Sequence, residues 1–190
     1  MNRTIPLLLA ALVTAALLSA CGGDDTAPGS DDDSHNATDV AFAQGMIPHH
    51  AQAIEMSELL LAKDGINSQV AELAEQIKAA QAPEIETMTG WLQGWDEDVP
   101  PTTGMDSMDD MSSMDGMMTE QDMGDLEAAS ADEASRLFLQ QMTEHHSGAI
   151  DMAQQETEGG SYPDAIALAE GIIQTQQAEI TTMHDLLARL

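Results

Sequence analysis

The sequence predicts an all-α fold: a four-helix bundle made of two repeated helical hairpins joined by a methionine-rich linker. Three observations predict it. Apolar residues recur in alternating steps of three and four, the stripe a helix buries in a bundle. The string FAQGMIPHHAQAIEM at residues 42–56 returns as FLQQMTEHHSGAIDM at residues 138–152 without a gap, and EIETM at 84–88 returns as EITTM at 179–183. No segment alternates with a period of two, so no sheet is expected.

The first 20 residues stand apart from the fold. Asn2 and Arg3 give a short polar, positive start, and Ile5 to Leu18 is an apolar run too short for a comfortable membrane span. It ends in Leu18-Ser19-Ala20-Cys21, which resembles the lipobox of bacterial lipoproteins. That resemblance implies a signal peptide over 1–20, a lipidated Cys21 at the mature start, and anchoring outside the cytoplasm. Cys21 is the only cysteine, so no disulfide can form within one chain. Residues 21–38, rich in Asp, Ser and Gly, read as a flexible acidic tether.

The domain then spans 39–190. Asp39 is expected to cap a helix that runs to about Lys63, where Asp64-Gly65 stops it. Asn67 or Ser68 opens a second, reaching about Trp95 before Pro100-Pro101 forbids continuation. Residues 96–125 form the Met- and Asp-rich linker. Ser130 to Glu133 has the pattern of a capping box for a third helix, ended by Gly159-Gly160. Pro163 sits in the first turn of a fourth, where its missing N–H costs nothing. The expected seams are Phe42, Met46, His49, Ala53, Met56 and Leu60; then Phe138, Met142, His145, Ala149 and Met152. In the fourth helix they are Ile166, Ala169, Ile173, Gln176, Ile180, Met183 and Leu187. Pro48 and Pro83 are at odds with helix interiors.

The charge is extreme, with 34 Asp and Glu against 5 Lys and Arg. Such a surface repels nucleic acid and anionic headgroups and raises the local cation concentration. Solvation alone explains most of it, so charge is weak evidence for metal binding.

The histidine pairs carry more information. Adjacent helical residues do not face each other, whereas residues three or four apart do. Met46 precedes His49 by three and His50 by four, and Met142 stands in the same relation to His145 and His146. The natural ligand unit is therefore Met-x-x-His. A di-iron bundle needs Glu-x-x-His, and no Glu-x-x-His occurs here. A thioether in place of a carboxylate favours Cu(I) or Ag(I) over iron. Glu55, Glu84, Asp151 and Glu179 stay as candidate hard ligands, so iron falls in rank without leaving. A seam Met is usually core filler, and a duplicated gene inherits filler too. Filler does not explain two adjacent buried imidazoles per hairpin, each costing about 1–3 kcal/mol if left unpartnered.

In the linker, Met105, Met108, Met111, Met114 and Met117 recur every third residue, followed by Met118 and Met123. Their Asp, Ser and Gly neighbours are poor helix formers and build no core, so a loose soft-metal role is expected. His184 and His35 are weaker candidates, His35 being read as an exposed tether residue. No nucleophile elbow and no phosphate loop occurs.

The strings GMIPHHAQAIEM and FLQQMTEHHSGAIDMA, with MDGMMTEQDMGDLEAAS between them, resemble the domain-of-unknown-function 305 family over nearly all of the mature chain. The resemblance implies a ferritin-like fold and secretion or lipid anchoring. It also implies, from some members, copper binding outside the cytoplasm in aid of copper resistance. Carried residue by residue, it implies metal ligation by Met46, His49, His50 and Met56, by Met142, His145, His146 and Met152, and by Met88 and Met183. The expected function is Cu(I) and Ag(I) buffering or handover by a lipid-anchored protein that is not an enzyme. The competing expectations are a ferroxidase-like oxidase and a structural module without metal.

Overall fold

The computed structural model describes residues 34–102 and 116–190. The expected signal peptide, Cys21, most of the expected tether, and Met105, Met108, Met111 and Met114 lie outside the described residues. Among the described residues there are five α-helices and no strand: α1 (Ala37–Leu61), α2 (Ser68–Gly94), α3 (Glu120–Ala128), α4 (Ala131–Gly159) and α5 (Pro163–Leu187). Helices α1 and α2 form one hairpin, α4 and α5 the other, and the hairpins meet chiefly through α1 and α4. No helix among the described residues is long and apolar enough to cross a membrane.

The four long helices match the expected bundle, and the short α3 is an addition to it. It occupies the end of the stretch expected to be linker, because Thr119 and Asp122 form a capping box that nucleates it. Lys63 closes its other end, donating Nζ to the carbonyls of Glu127 and Ala129. Leu126 is its buried contact with the core.

Two caps differ from expectation. Asn36, inside the expected tether, caps α1, and Asp39 is the third helical residue that completes the capping box. Ser130 makes no side-chain cap on α4. Asp39 serves a second helix as well. Its carboxylate accepts from the backbone N–H of Ser161 and Tyr162 and from Ser161 Oγ, supplying the N-terminus of α5, which has no cap of its own. Asn36 Nδ2 in turn donates to the carbonyl of Gly159 at the end of α4. The start of α1 and the α4–α5 turn therefore satisfy each other's orphan backbone groups.

His35 is not free in a tether. Its ring stacks on Trp95 at 4.4 Å, and Trp91 and Tyr162 complete the aromatic group. The seam of α5 is also shifted from expectation. Ala165, Ile172 and Leu186 are buried, while Ile166, Ile173 and Leu187 are only partly so. Both prolines are accommodated inside helices α1 and α2. Residues 45–53 of α1 are buried without a break. This helix lies between α2 on one side and α3 and α4 on the other, so it has no solvent face over that span. That explains a composition apolar all round rather than on one stripe.

Candidate metal centre

The two histidine pairs sit at the midpoint of α1 and α4, and all four rings are fully buried. Within each pair the neighbours diverge, as adjacent helical positions must. His49 and His145 turn toward one another across the α1–α4 interface, with ring centroids 3.7 Å apart. His50 turns toward its own hairpin, its Nε2 2.7 Å from Glu84 Oε2 of α2. His146 does the same with Glu179 of α5, also at 2.7 Å.

The chemistry of the outer pair follows from these bonds. A carboxylate accepts, so Nε2 of His50 and of His146 donates. In the tautomer with Nε2–H, Nδ1 carries the lone pair, and both Nδ1 atoms are buried with no hydrogen-bond partner. A carboxylate on one ring nitrogen fixes the tautomer and orients the other for ligation. His145 of the inner pair is kept neutral by its surroundings. Burial first, then the imidazoles of His49, His146 and His50, hold His145 well below the ordinary imidazole pKa, against a weak opposing contribution from the His49 backbone. A neutral ring keeps a lone pair at neutral pH, so protons compete little with a metal.

The methionines of the core fall into two groups. Met46 of α1, Met88 of α2 and the half-buried Met152 of α4 belong to one apolar cluster. Met142 of α4, Met183 of α5 and Met56 of α1 belong to the other. Each group takes the early Met of one repeat, the later Met of the other, and the Met of the associated hairpin helix. This exchange requires α1 and α4 to cross antiparallel with approximate two-fold symmetry. In the second group Thr143 Oγ1 lies 3.8 Å from Met183 Sδ.

Met117 is half-buried in the chain entering α3, Met118 is buried in the second group, and Met123 packs on it from α3. His184 is exposed, and His35 is engaged with Trp95; neither joins the centre. Among the described residues no three His, Cys, Asp or Glu side chains converge on one point. Hard donors therefore come at most as His–carboxylate pairs, and the thioethers of the two clusters are the remaining donors in the core. This donor set fits a soft monovalent ion better than iron.

Comparison with known proteins bears on the fold and on relatives' ligands. The profile of the domain of unknown function DUF305 matches residues 39–187. The chain belongs to the DUF305 family. A DUF305 fragment from Deinococcus radiodurans is 30% identical, with a TM-score of 0.72, covering 82% of this chain and 98% of that one. A DUF305 protein from Streptomyces coelicolor, described as secreted, is 34% identical with a TM-score of 0.70, covering 84% and 94%. CopM in its Cu(II)-bound form is 32% identical with a TM-score of 0.66, covering 80% and 96%. CopM also has Cu(I)-bound and Ag-bound structures. A comparison with curated proteins gives no match.

Within this DUF305 chain, three features of the centre went unread in the sequence. Glu84 and Glu179 were noted only as hard ligands, although their matched places in EIETM and EITTM signalled a shared role. Gln81 and Gln176, three residues before those glutamates, are both buried with unpartnered Oε1 atoms. The same alignment of the hairpins would have found them as a pair. Gln52 was passed over because its counterpart in the second repeat is Gly148, and a position that departs from the repeat draws no attention in a search for matches.

Proposed function

We propose that this protein holds Cu(I), and Ag(I) in the same way, at the core of the bundle, and that it buffers or hands on the ion outside the cytoplasm. The observation that carries this reading is the burial of four imidazoles in one core with two groups of methionines. Imidazoles buried only as filler would need hydrogen-bond partners, and Nδ1 of His50 and of His146 has none. Copper and silver in the solved forms of CopM, a relative of about the same fold, support the choice of ion. The lipobox-like Leu18–Cys21 stretch and the secreted relative support a lipid-anchored, extracytoplasmic setting. Met105, Met108, Met111 and Met114 would gather the ion loosely beside the core.

Carriage rather than turnover is the proposed role. The His–Glu pairs offer two hard donors each, short of the carboxylate-rich set an iron oxidase uses. Anaerobic competition with a chromophoric Cu(I) chelator tests the reading. We expect more than one Cu(I) per mature chain, with the core share abolished when His49, His50, His145 and His146 are all replaced by Ala. Unchanged binding by that variant, with its helicity intact by circular dichroism, overturns the core site.

A further inference from the structure

The two methionine groups are related by the repeat, but the chain treats them differently. Positions 52 and 148 are equivalent in the repeat, each three residues after the inward histidine, yet one is Gln and the other Gly. Both are used by the same piece of chain, residues 116–118, where the linker returns to the bundle. Gly116 lies against α4 so closely that a Cβ on it would sit 2.9 Å from Gly148 Cα and from the Glu144 carbonyl oxygen. Its φ of +84° independently demands glycine. Two residues on, the side-chain amide of Gln52 grips Met118 at both backbone groups. Gln52 Nε2 donates to the Met118 carbonyl at 2.9 Å, and the Met118 N–H donates to Gln52 Oε1 at 2.8 Å. Both residues are buried.

The next turn is also fastened. Gln141 of α4, one turn before His145, donates Nε2 to the Asp122 carbonyl at 3.0 Å. The strap thus crosses from α4 to α1 beside the imidazoles and is held at Gly148, Gln52 and Gln141. Its consequence is the placement of one sulfur residue. The Met118 side chain enters the cluster that holds Met56, Met142 and Met183, while Met46, Met88 and Met152 receive no such addition from the strap.

We propose that Met118 is a core ligand that brings to four the thioethers joining the imidazoles on the Met56–Met142–Met183 side, making that soft-metal site tighter than its two-fold mate, with Gln52 as the positioning residue. The inference rests on the metal-binding reading above and adds to it an inequality between the two sides. A carboxamide offers the donor and the acceptor that grip both backbone groups of one residue, and glycine at 116 lets the chain reach it. A plug needed only for packing would be served by any apolar side chain without a buried two-point polar grip.

Silver(I) titration of the full mature chain, labelled at the methionine methyl carbons, tests this. We expect the Met118 methyl signal to shift in step with those of Met56, Met142 and Met183, and at lower Ag(I) than those of Met46, Met88 and Met152. Met118→Leu keeps the packing and removes the sulfur. It should weaken the tighter site at least tenfold while the metal-free melting temperature stays near that of the parent. Gln52→Ala should weaken the same site without loss of any sulfur. An unmoved Met118 signal, with Met118→Leu binding as the parent does while Met142→Leu does not, overturns the strap proposal and leaves the core site standing. No shift at any core methionine overturns both.

Discussion

At the scale of single residues, the Glu84–His50 and Glu179–His146 pairs decide whether an imidazole is a ligand or a buried liability. A neutral imidazole has one donor nitrogen and one acceptor, and which is which depends on its neighbours. The carboxylate removes the ambiguity by accepting the hydrogen bond from Nε2–H. A glutamine there can accept or donate, so the tautomer is no longer fixed. Glu84→Gln is therefore expected to weaken Cu(I) binding about 10–100-fold while leaving the helical signal unchanged. The chelator competition reads the first and circular dichroism the second. Retained full affinity would mean that the His50 ring takes no part. Asp96 is a second informative residue. It ends α2 with φ of 62°, in the left-handed region, where Glu97 N–H reaches back to the Leu92 carbonyl. A β-carbon is strained there, and a negative charge faces the negative end of the helix dipole. Asp96→Gly is expected to stabilise the fold by about 0.5–1 kcal/mol despite the added freedom of the unfolded chain, measured as a higher urea midpoint.

At the scale of elements, the junction between α1 and the α4–α5 turn carries a pH dependence. Glu156 at the end of α4 is fully buried against Asp39. Burial first, then the hydrogen bond to Asp39 and its charge, push the Glu156 carboxyl up to about 8 from an ordinary 4.5. Burial would raise Asp39 too. The hydrogen bonds from Glu156 and from the backbone of Asn36, Tyr162 and Ser161 outweigh it and hold Asp39 low. The folded chain thus binds a proton at Glu156 that the unfolded chain lacks between pH 4.5 and about 8. Its contribution is full below 4.5 and is lost as pH rises through about 8, with a slope of at most about 1.4 kcal/mol per pH unit. Asp39 contributes above 3.8 and loses its effect on acidification below that. Glu156→Gln can still donate to Asp39 and has nothing to titrate. Urea midpoints across this range should fall with rising pH in the parent more steeply than in the variant. The depressed His145 pKa acts in the opposite sense below 6.5 in both proteins and cancels in the comparison. Parallel curves would show that the junction is not protonated.

The same elements show what a sequence reveals. Helices α1, α2, α4 and α5 were legible because each is long and carries many periodic apolar positions, and the repeat supplied the pairing of hairpins. The inward turn of His49 and His145 was legible from their place on the seams. The short α3 was not, since its Asp and Gly content lowers helix propensity and its stability comes from a cap and from Lys63 in the α1–α2 turn. The true start of α1 was hidden because Asn36 and Asp39 both have cap chemistry, and only the fold shows Asp39 spent on α5. The seam of α5 slipped by one residue at three places because adjacent apolar pairs such as Ala165-Ile166 and Ile172-Ile173 fit either stripe.

At the scale of the whole molecule, the proposed function joins two kinds of donor in one chain: residues inside the bundle, and the methionines of the expected linker. The boundary between them falls within the expected linker. Residues 96–125 read as one compositional block, yet Gly116, Met118 and Thr119 belong to the fold through Gly148, Gln52 and Asp122. Two alterations of the linker should therefore differ in kind. Replacing Met105, Met108, Met111 and Met114 by Ser is expected to lower the number of Cu(I) ions bound while leaving the metal-free melting temperature and the core sites as they were. Removing residues 103–123 takes out Met118, whose burial contributes about 1.5–3 kcal/mol, and the Thr119 cap, worth about 0.5–2 kcal/mol. That deletion should lower the urea midpoint and weaken the core site together. A ligand bound only by the folded state raises the melting temperature, so Ag(I) should still stabilise the serine variant strongly and the deletion only weakly. Equal Ag(I) stabilisation of the two would place the tight sites wholly apart from the strap and make the linker a single functional piece.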